Sequence, residues 1–185
     1  MTPFVNSITD LFSYGTVLLD ILAAALFIVL ISPLKRMRPM STFADFIGER
    51  AILLSFIVSF LATTGSLFYS EIAGFAPCVL CWWQRLFLYP QTILLFTALF
   101  KKDEGIRIHS TILSIFGALI ALYHTFVQFG WETSLPCPAT GPSCAALYFL
   151  KFGYVTIPTM SLTIFGILLL FMLAPNPKKR DIHEL

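Results

Sequence analysis

The chain has 185 residues, one domain's worth, of which 57% are hydrophobic and only 12% charged, against about 25% charged in soluble proteins. That composition excludes an ordinary soluble domain and reads as an integral membrane protein. A net charge of +2, with no basic run longer than Lys178-Lys179-Arg180, gives no footing for nucleic acid.

A bilayer core of about 30 Å takes about 20 helical residues to cross. The first candidate span, about Tyr14 to Ile31, is interrupted by Asp20; a transmembrane helix is expected there, with an amphipathic surface helix as the competing reading. The preceding MTPFVNSITD has no basic n-region and no clear cleavage site, so removal of a signal peptide is not expected. The second span lies in the 20 uncharged residues between Arg50 and Glu71. The third runs from about Trp82 to Phe100, with Arg85 its only charge. The fourth and fifth lie in the 24 uncharged residues between Arg107 and Glu132 and the 26 between Lys151 and Lys178. The expected fold class is an all-α integral membrane protein: a four-helix transmembrane bundle plus an additional N-terminal transmembrane helix.

Basic residues set the orientation. Lys35, Arg36, Arg38 and Arg50 lie between the first two spans, Lys101, Lys102 and Arg107 between the third and fourth, and the Lys178 cluster after the fifth. With these loops inside, the N-terminus is outside and the C-terminus cytoplasmic. Two outer segments remain, about Ser70 to Cys81 and about Trp131 to Val155. All four cysteines, Cys78, Cys81, Cys137 and Cys144, fall in them. Disulfides persist in oxidising compartments, which in a bacterium means outside the cytoplasmic membrane. Redox chemistry and structural stapling are the two leading readings.

The stretch APCVLCWWQR carries the first pair. Pro77 favours a helix start at this point, so the third span begins near Cys78 with its positive end beside the thiols. Arg85 follows Cys81 by four residues and Cys78 by seven, on one helix face. A helix N-terminus and a cation both favour thiolate over thiol, although Arg85 also suits a snorkelling anchor. Trp82 and Trp83 fit the headgroup belt. Four cysteines admit zinc, but C-x2-C, 55 residues, then C-x6-C lacks a second tight knuckle, and no metal is expected. Two structural disulfides are the other bland reading; a C-x2-C bridge closes too short a loop to add much stability.

In the fourth span His124 and Gln128 stand four apart on one face, and ionisable residues inside membranes point to function; a core histidine bonded to a neighbouring helix is the alternative. His109, at the cytoplasmic end, reads as an interface residue. PCPATGPSC reads as an exposed, turn-filled loop open to a protein partner, and AALYFLKF after it as a short amphipathic stretch in the interface.

CVLCWWQR with LFLYPQ, the YHTFVQ stretch, the second cysteine pair and VTIPTMSL at the last span together resemble the bacterial DsbB/BdbC disulfide-bond formation family, in its shorter-looped BdbC-like branch. The resemblance covers about Ala51 to Ala174. It implies a four-helix thiol oxidase domain over 51–174, flanked by an N-terminal span and basic loop (1–50) and a cytoplasmic basic tail (175–185). It implies electron transfer from a soluble, DsbA/BdbD-like thioredoxin-fold oxidase to a membrane quinone, ubiquinone or menaquinone. The general DsbA–DsbB–quinone route is established for bacterial periplasms. Residue by residue, Cys137 and Cys144 match the pair that oxidises the partner, with Cys137 the site of the mixed disulfide. Cys78 and Cys81 match the pair beside quinone, with Cys81 nearer the ring. Arg85 matches the quinone-site arginine, and His124 and Gln128 match residues near the quinone. The long outer loop of DsbB itself is reduced here, and the N-terminal span with Asp20 lies outside the pattern. Two alternatives stand beside this reading. One is a vitamin K epoxide reductase-like protein, against which the order of the cysteine pairs argues. The other is a non-enzymatic scaffold or metal-binding protein.

Overall fold

The structure is a computed structural model and describes residues 2–31, 38–130 and 141–175. Among these residues six α-helices follow one another: α1 (Pro3–Ile31), α2 (Arg38–Glu49), α3 (Ala51–Leu67), α4 (Val79–Lys101), α5 (Ile106–Gln128) and α6 (Ile157–Leu173). α3 is prolonged by a π turn, Phe68–Ile72. Among the described residues the fold is all-α, with one isolated bridge between Lys151 and Val155. Among the described residues three helices, Pro3–Ile31, Ala51–Ile72 and Ile106–Gln128, are long and apolar enough to cross a bilayer, and α6 is a shorter apolar helix. The chain is a multi-pass membrane protein.

Helices α3 to α6 form the bundle. α5 packs on α4 and α6, and α3 closes the other side against α4 and α6; α1 lies along α6. Several hydroxyls on these helices are satisfied within their own turns: Thr64 Oγ1 donates to the Phe60 carbonyl (3.0 Å) and Thr125 Oγ1 to that of Ala121 (2.8 Å). Such back-bonding lets polar side chains sit in an apolar medium. At its centre Phe165 and Leu168 of α6 pack with Leu88 and Ala121. Gly117 makes this approach possible, because a Cβ there would lie 2.3 Å from the Phe165 ring.

The end of the bundle away from the thiols is tied by Arg107. Its guanidinium donates to the carbonyls of Ala174 (3.0 Å), Met172 (3.4 Å) and Gly48, and its Nε to Glu104 (2.9 Å). The last carbonyls of α6 have no partner within their helix, and Arg107 supplies donors while joining α2, α5 and α6.

Three differences from the sequence reading have plain causes. α1 begins at Pro3, eleven residues before the expected Tyr14; its added charge, Asp10, pairs with Lys151 at 2.8 Å, so a charge-free window understates the helix. Part of the expected basic loop is α2, an amphipathic helix whose Ala44 and Ile47 are buried while Phe43 and Phe46 are exposed; twelve residues are too few for any test based on crossing a bilayer. AALYFLKF forms no regular element: Phe149 turns inward against Tyr69 (5.6 Å between centroids) and Tyr148 stacks on Phe75 (4.4 Å).

Candidate active site

Cys78 is the N-cap of α4, in extended backbone (φ −74°, ψ 173°), and its carbonyl accepts the first helical bond from Trp82 N–H at 3.1 Å. Pro77 therefore precedes the cap and does not occupy the first turn. Both thiols are free, with sulfurs 3.3 Å apart; Cys78 is buried and Cys81 partly so. The Cys81 thiol, and after it the His124 ring, hold Cys78 below the ordinary thiol range against the opposing effect of burial. The helix N-terminus acts in the same direction. Trp82 and Trp83 are exposed on the bundle surface, as membrane-belt residues are.

His124, 3% exposed, is held from three sides. Its Nε2 lies 3.0 Å from the Cys144 carbonyl and 3.6 Å from Cys78 Sγ, and its Nδ1 lies 3.0 Å from the Gln84 amide. A nitrogen at that distance from a carbonyl oxygen carries a hydrogen. In the neutral ring Nδ1 is then an acceptor and Gln84 its donor. The tautomer is fixed by chemistry, and the single Nε2 hydrogen, directed at the Cys144 carbonyl, is shared with the more distant Cys78 sulfur. Gln128 donates to the Ala146 carbonyl at 3.1 Å, so the residue pair four apart on α5 straps the returning loop to the bundle. Cys78, Cys81, His124, Gln128 and Cys144 border one small cleft of about 20 Å³. Cys144 is disulfide-bonded; Cys137 lies outside the described residues.

The two sulfurs and a His124 nitrogen lie within 4.8 Å of one another, close enough for a metal. A metal needs a ring lone pair, however, and Nε2 spends its position on a hydrogen toward Cys144. This donor set fits thiol chemistry better than metal binding.

Cys81 also faces the other way. With Arg85 it borders a cavity of about 520 Å³ that Cys78 does not reach, lined otherwise mostly by apolar side chains. Arg85 donates from Nε to Ser66 Oγ and from a terminal nitrogen to the Ser66 carbonyl, both at 3.0 Å; Tyr89 adds a hydroxyl bond to the same Oγ at 3.1 Å. The guanidinium lies 5.2 Å from the Trp82 ring centroid. Its hydrogen bonds go to Ser66 rather than to either sulfur, which leaves its charge at the cavity wall. Tyr148, whose hydroxyl bonds the Ala76 carbonyl at 2.8 Å, closes the cavity toward the loop.

The residues read from sequence as lying near quinone border two different spaces. Arg85 shares the cavity with Cys81, whereas His124 and Gln128 share the cleft with Cys78, Cys81 and Cys144. Sequence reasoning did not single out Gln84, Ser66 or Tyr148. Gln84 had a signal, being a polar residue directly before Arg85 in an apolar span; Ser66 had none.

A family model described as "Disulfide bond formation protein DsbB" matches residues 48–175. The chain is 42% identical over 135 residues to the SPbeta prophage-derived disulfide bond formation protein B of Bacillus subtilis, covering 71% of this chain and 91% of that one. It is 37% identical over 129 residues to disulfide bond formation protein C of the same organism, covering 69% and 93%. A probable disulfide formation protein C of Bacillus cereus is 44% identical over 115 residues, covering 62% and 83%. No solved structure matches the chain. The matched stretch takes in all of α3 to α6 with the thiol pair and the returning loop, and on that extent the chain belongs to the DsbB family of disulfide-forming membrane oxidoreductases.

Proposed function

We propose that this protein reoxidises a soluble, extracytoplasmic thioredoxin-like thiol oxidase and passes the electrons to membrane quinone. The observation that carries the proposal is the two-sidedness of the thiol pair. Cys78 borders the cleft beside Cys144 and not the apolar cavity that holds Arg85, whereas Cys81 borders both.

The steps follow from that division. A partner thiolate attacks Cys137 of a loop disulfide and releases Cys144 as thiolate. Cys144 attacks Cys78 of the oxidised CxxC pair, and Cys81 leaves as thiolate toward the cavity. The partner's second thiolate resolves its mixed disulfide, freeing Cys137. Cys137 then attacks Cys144, restoring the loop disulfide and leaving Cys78 and Cys81 as a dithiol. The N–H at Nε2 of His124, whose nitrogen lies 3.6 Å from Cys78 Sγ, stabilises the departing Cys78 thiolate. The residues present fit a quinone: an apolar cavity of suitable volume, a sulfur at its wall and a fixed cation. A quinone supplies a two-electron, two-proton acceptor of higher potential than the dithiol. Arg85 holds positive charge where negative charge develops. Each turnover oxidises one partner dithiol and reduces one quinone.

In this reading residues 51–174 are the oxidase domain. The basic loops face the cytoplasm of a bacterium, and the thiol end lies at the outer face of its cytoplasmic membrane. The test mixes purified reduced protein with a quinone, with and without a reduced CxxC partner, and follows quinone absorbance. Consumption that Cys81→Ser abolishes, in a protein still folded in the membrane, is expected; no consumption by the wild type overturns the proposal. The clustering of Cys78, Cys81 and His124 favours a zinc site as second reading. Stoichiometric zinc in the purified protein, lost with Cys81→Ser, would establish it instead.

A further inference from the structure

The family match begins at residue 48, so α1 lies outside it. Yet α1 borders the same cavity as Cys81 and Arg85, through Phe12, Gly15, Thr16 and Leu19 among others. We infer that α1 is the lateral wall of the electron-acceptor site and the surface against which the apolar tail of a lipid-soluble quinone binds. The inference rests on the quinone reading of that cavity.

The placement of α1 is specific. It packs along α6 and reaches α3 at one end, where the Phe12 ring would lie 3.2 Å from a Cβ on Gly65 and meets Tyr69 at 6.0 Å between centroids. The cavity lies between α1 on one side and Val58, Leu61 and Ala62 of α3 on the other. Two polar anchors hold the helix there. Asp10 pairs with Lys151 at 2.8 Å. Ten residues on, about 15 Å along the helix, Asp20 accepts hydrogen bonds from Thr163 Oγ1 (2.6 Å) and the Tyr154 hydroxyl (2.7 Å). A carboxyl group within an apolar helix of this kind is unfavourable without partners; here both oxygens have one, on α6 and on the segment before it. This gives Asp20 a role as the pin that fixes α1 against the bundle.

The surface α1 offers is apolar in effect. Thr16 satisfies its hydroxyl on its own helix, at the Phe12 carbonyl (2.8 Å). At Gly15 a Cβ would meet nothing within 4 Å, although glycine inside a helix is about 0.5–1 kcal/mol less favourable than alanine. The open volume over Gly15 belongs to the cavity. A lateral, apolar wall with its polar groups already bonded suits an alkyl or isoprenoid tail, while the sulfur and guanidinium stand at the polar end of the same space.

The experiment uses the full chain in nanodiscs with a graded pair, Gly15→Leu and Gly15→Phe, and Ile21→Phe on the lipid-exposed side of α1. KM is measured for a long-tailed quinone and for a tail-less quinone of the same ring. Single-turnover exchange with a reduced dithiol, without quinone, reports on folding and on the thiol steps. Gly15→Leu and then Gly15→Phe should raise KM for the long-tailed quinone progressively, reaching roughly tenfold. KM for the tail-less quinone should change little, exchange should stay at the wild-type rate, and Ile21→Phe should alter neither KM. Unchanged KM for the long-tailed quinone overturns the inference and marks the surface as a seat for bilayer acyl chains. An equal rise for both quinones overturns the tail assignment. A wild type that exchanges thiols but consumes neither quinone refutes the quinone reading itself, and with it the inference. If Gly15→Phe fails the exchange check, Gly15→Leu alone decides.

Discussion

Replacing Gln84 with leucine tests whether the cleft works through a fixed histidine tautomer. Gln84 and His124 are both buried, and their contact at 3.0 Å is the only hydrogen bond given to Nδ1 among the described residues. Leucine keeps the volume but removes the donor, leaving a buried acceptor unpaired at a cost of about 1–3 kcal/mol. The ring can escape by moving its hydrogen to Nδ1, but Nε2 would then set a lone pair against the Cys144 carbonyl at 3.0 Å and offer nothing to Cys78. A hydrogen bond to a charged sulfur contributes about 1.5–3 kcal/mol, so loss of it slows thiol exchange between loop and CxxC by about 10- to 100-fold. The assay is stopped-flow mixing of oxidised protein with a reduced CxxC peptide, followed by tryptophan fluorescence from Trp82 and Trp83 beside the pair. His124→Ala and the double variant complete a cycle. If Gln84 acts through His124, the double variant is no slower than His124→Ala. An unchanged rate for Gln84→Leu, or additive losses, would refute the reasoning.

Three further outcomes are expected. Gly117→Ala drives a Cβ to 2.3 Å from the buried Phe165 ring and should destabilise the protein by about 1–3 kcal/mol, read as a lower Tm in detergent, whereas Gly166→Ala, which meets nothing within 4 Å, should not. Arg107→Ala removes the donors to Ala174, Met172 and Gly48 and should lower stability by about 2–3 kcal/mol; Arg107→Lys, a single point donor in place of a fork, should recover only part of it. The reduced protein should keep its thiolate absorbance near 240 nm well below pH 8, and Cys78→Ser should remove that band. Cys78 is held below the ordinary thiol range, so its contribution to the stability of the dithiol form is complete above about pH 8.5 and is lost as pH falls through the folded value. Disappearance of the band near pH 8.5 in the wild type would contradict this.

Much of the fold was legible because a membrane imposes a simple rule. Gaps of 20 or more uncharged residues between charged ones must be helices, and α3, α5 and α6 stand in those gaps. α4 was found despite Arg85, because the CxxC and tryptophans mark where it starts. α2 and the first turns of α1 escaped, the one too short and the other carrying Asp10, whose partner Lys151 is distant in sequence. For the site, spacing put Cys78, Cys81 and Arg85 on one helix face, and His124 with Gln128 on another.

The sequence by itself determined a multi-pass helical protein, a thiol pair at a helix start and the family to which both belong. Helical periodicity does that work, since it fixes where each side chain points relative to its own axis. It says nothing about how each axis is rotated against its neighbours, which depends on close packing such as Gly117 against Phe165 and on polar pins such as Asp20 with Thr163. Only the tertiary structure therefore decided that Cys78 meets the loop while Cys81 meets the cavity, that Gln84 sets the His124 tautomer and that Ser66 receives Arg85. The same packing makes α1, which the sequence left without a role, a wall of the space beside Cys81.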